Sequence, residues 1–155
     1  MFPNNDVLII GDHASNDIKF MKPEKSEESL MRSSEAFDPG SADLVSQLSE
    51  RLQCMAVLTN FSKLLVDPAV PICNQDLIRL FYNQKDEQRD LKEISLNGSG
   101  FRLWERLADS YLEYQKVLNE VMLFLDQPKI IVSIHSHESP VSSKSSITVY
   151  RPWLP

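Results

Sequence analysis

Val7-Leu8-Ile9-Ile10-Gly11-Asp12-His13 and Ile130-Ile131-Val132-Ser133-Ile134-His135 are the two stretches that decide the fold of this chain. Each is a short, continuous apolar run closed by polar residues. A strand with one wet face alternates apolar and polar residues. A strand buried on both faces is apolar throughout, as in parallel sheets covered by helices. The two runs therefore predict an α/β fold. In open α/β sheets the ligand crevice lies beyond the carboxyl ends of the strands. There the first run delivers His13 and the second delivers His135 and His137, the three histidines of the chain. Imidazole is the commonest metal ligand and acid/base group. Histidines are also tolerated in polar strand-end loops, and spacing alone leaves both readings open.

The 155 residues fit one domain, with a composition ordinary for a globular protein, 42% hydrophobic and 25% charged. A net charge of −6 argues against a general nucleic-acid or anionic-membrane surface. Cys54 and Cys73 show neither metal-type pairing nor a disulfide framework, and read as free thiols in a reducing compartment. No basic-then-apolar leader opens the sequence, and no apolar run reaches membrane-spanning length. The expected setting is the cytoplasm, with no membrane partner.

Between the two strands, Lys19 to Glu35 is charged and lacks an apolar period, the pattern of a long mobile loop. Asp38-Pro39-Gly40-Ser41 opens a helix in which Leu44, Val45, Leu48 and Leu52 recur at helical spacing, with Ser41 a candidate cap. A second strand is expected near Met55–Thr59 and a third over Phe61–Val66, before Asp67-Pro68 and Pro71 end regular structure. Asn74 or Asp76 is placed to cap a helix carrying Leu77, Ile78 and Phe81, and the polar run Asn83 to Glu93 reads as a solvated face or loop. Asn97-Gly98-Ser99-Gly100 is a turn without the Gly-Lys-Ser/Thr of a phosphate cradle. The strongest helical pattern spans about Phe101 to Leu125. Its apolar face of Leu103, Leu107, Tyr111, Tyr114, Leu118, Val121, Met122 and Leu125 suits packing on a sheet. Gln127-Pro128-Lys129 ends it, and Ile147–Tyr150 reads as a short last strand.

Five segments, in order, resemble the N-formylglutamate amidohydrolase family. They are Asp12-His13-Ala14-Ser15-Asn16, Asp38-Pro39-Gly40, Phe61-Ser62-Lys63-Leu64-Leu65-Val66-Asp67, Ser133-Ile134-His135-Ser136 and Arg151-Pro152-Trp153. Each motif is weak alone, but together they span nearly the whole chain. The resemblance implies an α/β three-layer sandwich related to zinc carboxypeptidases. It implies a metal-dependent amide hydrolase that cleaves N-formyl-L-glutamate, or another small N-acyl amino acid, to the acid and the amino acid. One zinc per chain is implied, with His13, Asp38 and His135 as ligands. Three protein ligands leave a fourth zinc position for water. Ser15, Asn16, Lys63 and Arg151 are the implied substrate-binding residues. Capping and turn formation for Ser15 and Asn16, and plain solvation for Lys63 and Arg151, stand beside that role. His137 matches no family position and reads as a loop residue.

The chain also departs from the family pattern. The family places Asn-Arg-Pro shortly after the Asp that matches Asp67, and here Ala69 and Val70 stand in those places. A guanidinium grips a carboxylate bidentately; valine cannot. Lys63 replaces an arginine, and Gln115 follows Tyr114 where the family often has histidine. The family continues past Arg-Pro-Trp to further strands and a late acidic residue suited to act as general base. Residues 1–155 thus read as a single, incomplete domain of this type. The departures suggest a second reading: an impaired relic that binds a metal, a ligand or a protein.

Overall fold

The computed structural model describes residues 4–18, 28–72, 77, 81–83, 91–93, 107–136 and 146–150. The two apolar runs are strands, β1 (Asn4–Gly11) and β5 (Ile130–His135), joined in parallel with Leu8 opposite Ile131 and Ile10 opposite Ser133. On the other side of β1 lies β2 (Cys54–Leu58), also parallel, with Ile9 opposite Ala56. The short β6 (Ser146–Tyr150) pairs antiparallel with β5. Among the described residues the order is β2-β1-β5-β6, a mixed sheet in an α/β fold.

Alternation along β1 divides the core into two layers, as the two-residue period of a strand requires. Leu8 and Ile10 point to one face with Val57 of β2. There they meet Tyr111 of a π-helical segment, Leu107–Leu112, and Tyr114 of the α-helix that continues it, α3 (Glu113–Phe124). Ile9 points to the other face and packs with Val45, Leu44 and Leu48 of α2 (Ser41–Leu52), and with Ile134 of β5. Helix, sheet and helix form three layers. The apolar stripe expected on the long helix faces the sheet: Tyr111, Tyr114 and Leu125 are buried, and Leu107, Leu118, Val121 and Met122 pack against the same cluster.

This topology places the site. The chain runs from β1 through α2 to β2 on one side, and later through α3 to β5 on the other. The strand order thus reverses at β1. The carboxyl ends of β1 and β5 flank a topological switch point, where open α/β sheets form their crevice.

Several local expectations are corrected. Phe61–Val66 is buried but is not a strand. Its backbone is satisfied by loops: the Ser62 N–H donates to Asp17 O and the Lys63 N–H to Ala36 O. Ser41 is the first residue of α2, and the N-cap is Gly40 at φ 80°, where a Cβ would be strained. The Ser41 hydroxyl instead donates back to Asp38 O at 2.7 Å. Within the expected loop Lys19–Glu35, residues 28–31 form a one-turn helix, α1 (Glu28–Met31), which buries Leu30 and Met31. Charge patterning concealed those two apolar anchors. Phe81 opens a strand, β3 (Phe81–Asn83), rather than belonging to a helix. It pairs antiparallel with β4 (Leu91–Glu93), so both ends of the polar run are strand.

Cys54 is a free, buried thiol. The expectations for Lys19 to Lys25, Glu27, Cys73, Asn74, Asp76, Ile78, Asn97–Gly100, Phe101–Leu103, His137 and Arg151 fall outside the described residues. No helix among the described residues is long and apolar enough to cross a membrane.

Candidate metal centre

The loop leaving β1 is fixed before it reaches His13. Thr59, just beyond β2, donates its N–H to Gly11 O at 3.1 Å and accepts the Ala14 N–H on its hydroxyl at 3.0 Å. The Asp38 N–H donates to His13 O at 2.8 Å, which ties the entry of α2 to that loop. His135 is the last residue of β5. The adjacency of β1 and β5 then brings the two imidazoles to a centroid separation of 5.0 Å, with their planes 65° apart.

Asp38 lies between them. One oxygen, Oδ2, is 3.0 Å from His135 Nδ1 and 3.4 Å from His13 Nδ1. The ligand atoms of His13, Asp38 and His135 all lie within 4.8 Å of one another. The structure thus brings together the three residues singled out as ligands, from three separate parts of the chain.

The remaining polar atom of each side chain is also held. His13 Nε2 is 2.8 Å from Asp67 Oδ1. Asp38 Oδ1 accepts from the Lys63 ammonium at 2.8 Å. His135 Nε2 is 2.9 Å from the Ser133 hydroxyl. Metal-binding histidines usually donate their second ring N–H to a carboxylate or another acceptor, which fixes the tautomer and the ring orientation. Because a carboxylate only accepts, the proton between His13 and Asp67 sits on Nε2. His13 Nδ1 is then the ring atom that could ligate a metal, and it faces a carboxylate oxygen. Two electron-rich atoms at that separation require a cation between them, either a proton or a metal ion.

The electrostatics agree with the geometry. Burial disfavours a charged His13, but hydrogen bonds to Asp38 and Asp67 and the charges of both carboxylates outweigh it and raise its pKa above the usual 6.5. Burial alone would raise the Asp38 pKa. Hydrogen bonds from His13, His135 and Lys63, together with the Lys63 charge, instead hold it well below the usual carboxylate range. The pocket therefore stabilises an anionic Asp38 beside a cationic group. Chemically, the donor set of two imidazoles and one carboxylate suits zinc with an open position. It also matches the facial triad of non-haem iron.

Of the expected substrate contacts, Lys63, Ser15 and Asn16 are engaged elsewhere. Lys63 is buried, and its ammonium is committed to Asp38. Ser15 accepts the Asp17 N–H on its hydroxyl, a local turn. The Asn16 amide donates to Met31 O at 2.9 Å and so tethers α1 to the loop carrying His13. Val70 packs against the core, and its carbonyl accepts the Tyr111 hydroxyl. Gln115 donates to Pro68 O at 3.3 Å. Four residues around the site, Asp67, Asp12, Ser133 and Tyr114, were not among those the sequence marked as site residues. Asp12 and Ser133 were detectable as polar residues at the ends of the histidine-bearing strands, and Asp67 as the end of a motif. The position of Tyr114 at the site depends on packing across the sheet.

A two-histidine, one-carboxylate constellation at the switch point of an α/β sheet is the class of site that this fold presents. No family model matches the chain, and no curated protein matches it. Among solved structures, the gene product Atu2144 from Agrobacterium tumefaciens has a similar fold, with a TM-score of 0.67 at 20% sequence identity. The match covers 85% of this chain and 52% of that one, so the chain spans about half the length of that protein.

Proposed function

We propose that this chain is a metal-dependent hydrolase of linear amide bonds, of the N-formylglutamate amidohydrolase type, with zinc held by His13, Asp38 and His135. One observation carries the reading. Three potential ligand atoms from distant segments converge within 4.8 Å. Each of their side chains has a second anchor, namely Asp67, Lys63 or Ser133. Zinc bound there supplies a Lewis acid that polarises an acyl carbonyl and makes water a nucleophile near neutral pH. The chain's own residues do the rest. Asp67 and Ser133 aim the imidazoles, and Lys63 keeps one Asp38 oxygen occupied so that the other is offered alone. The ordered motifs of the sequence support N-formyl-L-glutamate or a related N-acyl amino acid as substrate.

A second reading is favoured by the Lys63–Asp38 pair. The resemblance sets Lys63 against a substrate carboxylate, but its ammonium is spent on a ligand. Val70, where the family has arginine, packs against the apolar core. On this reading the chain binds metal without turnover. The deciding experiment is a formate-release assay with N-formylglutamate, with and without zinc, on the wild type and His135→Ala. Zinc-dependent release lost in the variant supports the hydrolase. Zinc binding without release supports the metal-binding relic. Absence of zinc binding overturns both.

A further inference from the structure

We propose that Asp12, acting through Ser133, fixes His135 in the tautomer that offers Nδ1 to a metal, and that Tyr114 sets the direction of this relay. The inference rests on the metal reading of His13, Asp38 and His135.

Ser133 and His135 are two residues apart in β5, so their side chains leave the same face of the sheet. The Ser133 hydroxyl donates to Asp12 Oδ2 at 2.9 Å, and its oxygen lies 2.9 Å from His135 Nε2. A hydroxyl has one hydrogen. Because that hydrogen is given to Asp12, Ser133 can only accept from His135, and Nε2 must carry a proton. Nδ1 is then the ring atom left for a metal; it lies 3.0 Å from Asp38 Oδ2, to which it donates a proton when no metal is bound. Asp12 cannot do this directly. Its Oδ2 is 3.9 Å from His135 Nε2, beyond hydrogen-bond range. His13 reaches the same state by direct contact with Asp67.

Tyr114 closes the relay at its far end. Its buried hydroxyl donates to Asp12 Oδ1 at 2.6 Å, its one hydrogen bond among the described residues. This makes an Asp12→Asn substitution informative. A buried phenol needs an acceptor, so the new amide must turn its oxygen towards Tyr114 and its NH2 towards Ser133. Ser133 then accepts from the amide and donates to His135 Nε2. The ring proton is driven to Nδ1, and the ligand atom is lost. An Asp→Asn exchange that keeps the geometry but stabilises the wrong tautomer is known from serine-protease triads. Removing the phenol hydroxyl should free the amide to rotate and restore the original direction.

The test is zinc affinity by competition titration, together with NMR of the His135 ring nitrogens, on wild type, Asp12→Asn, Tyr114→Phe and Asp12→Asn/Tyr114→Phe. The expected loss in Asp12→Asn is about 10–100-fold in zinc affinity, the range for partners that orient a ligand. Tyr114→Phe alone should change little, and the double variant should regain most of the loss. A merely structural role for Asp12 would make the double variant weaker than the single. In NMR, wild type loaded with zinc should show a protonated Nε2. Wild-type affinity in Asp12→Asn, or no recovery in the double variant, overturns the relay. If Asp12→Asn does not fold, Ser133→Ala replaces it: about tenfold weaker zinc is expected, and unchanged affinity overturns the relay. If wild type binds no zinc, the metal reading fails by itself. The relay is then judged in metal-free protein, where Asp12→Asn must lower the fraction of ring protonated at Nε2 below wild type, and an unchanged fraction overturns it.

Discussion

The Lys63 ammonium lies 2.8 Å from Asp38 Oδ1, and both side chains are buried. Removing one partner of a buried ion pair leaves the other charge uncompensated, at a cost of about 3–5 kcal/mol. Lys63→Met should destabilise the metal-free protein by about that amount, less whatever His13 offsets as a cation. Zinc should recover part of the loss, because a divalent ion supplies the charge that Asp38 then lacks. Urea denaturation of wild type and variant, with and without zinc, measures both effects. Equal destabilisation with and without zinc would argue that Asp38 is not a ligand.

The ligands themselves give a simpler outcome. Zinc at about 100 times its dissociation constant should stabilise the wild type by about 2.7 kcal/mol. His13→Ala and His135→Ala should each abolish this zinc-induced shift in the denaturation midpoint and the stoichiometric zinc found by elemental analysis. Zinc retained equally by both variants would remove the assignment.

Gly11 is fixed by close packing. A Cβ at this position would lie 2.7 Å from Leu58 Cδ2 and 3.3 Å from Val45 Cγ2. The leucine tip is partly exposed and can move, whereas Val45 is fully buried. Gly11→Ala should therefore cost about 1–3 kcal/mol, the usual range for overpacking. A chemical denaturation curve within error of wild type would contradict the close approach of β1 and α2.

Tyr114 should make the protein sensitive to alkali. Burial, then the charge of Asp12 and its hydrogen bond, raise the phenol pKa above the ordinary 10.0. Above that value the unfolded chain loses the proton while the folded chain keeps it. Stability present below pH 10.0 is therefore lost as pH rises beyond it. Tyr114→Phe has no such proton to lose. The stability difference between wild type and Tyr114→Phe should shift in favour of the variant as pH rises above 10.0. Parallel pH profiles for the two proteins would show that Tyr114 ionises normally.

β1, β5 and the histidines at their carboxyl ends were legible in the amino-acid order alone, because a strand buried on both faces leaves a continuous apolar run. So were α2 and the sheet-facing side of α3, through apolar residues at helical spacing. The Phe61–Val66 run misled because burial and strand pairing are separate matters: its apolar side chains enter the core while its backbone bonds to loops. The site itself is a product of long-range packing. His13 meets Asp67 across 54 positions, and Tyr114 meets Asp12 across 102. Local periodicity reports which face of an element is buried, and it holds no information about which distant side chain arrives there. That is set by the reversal of strand order at β1, which places β5 beside it and brings His135 to within 3.0 Å of Asp38.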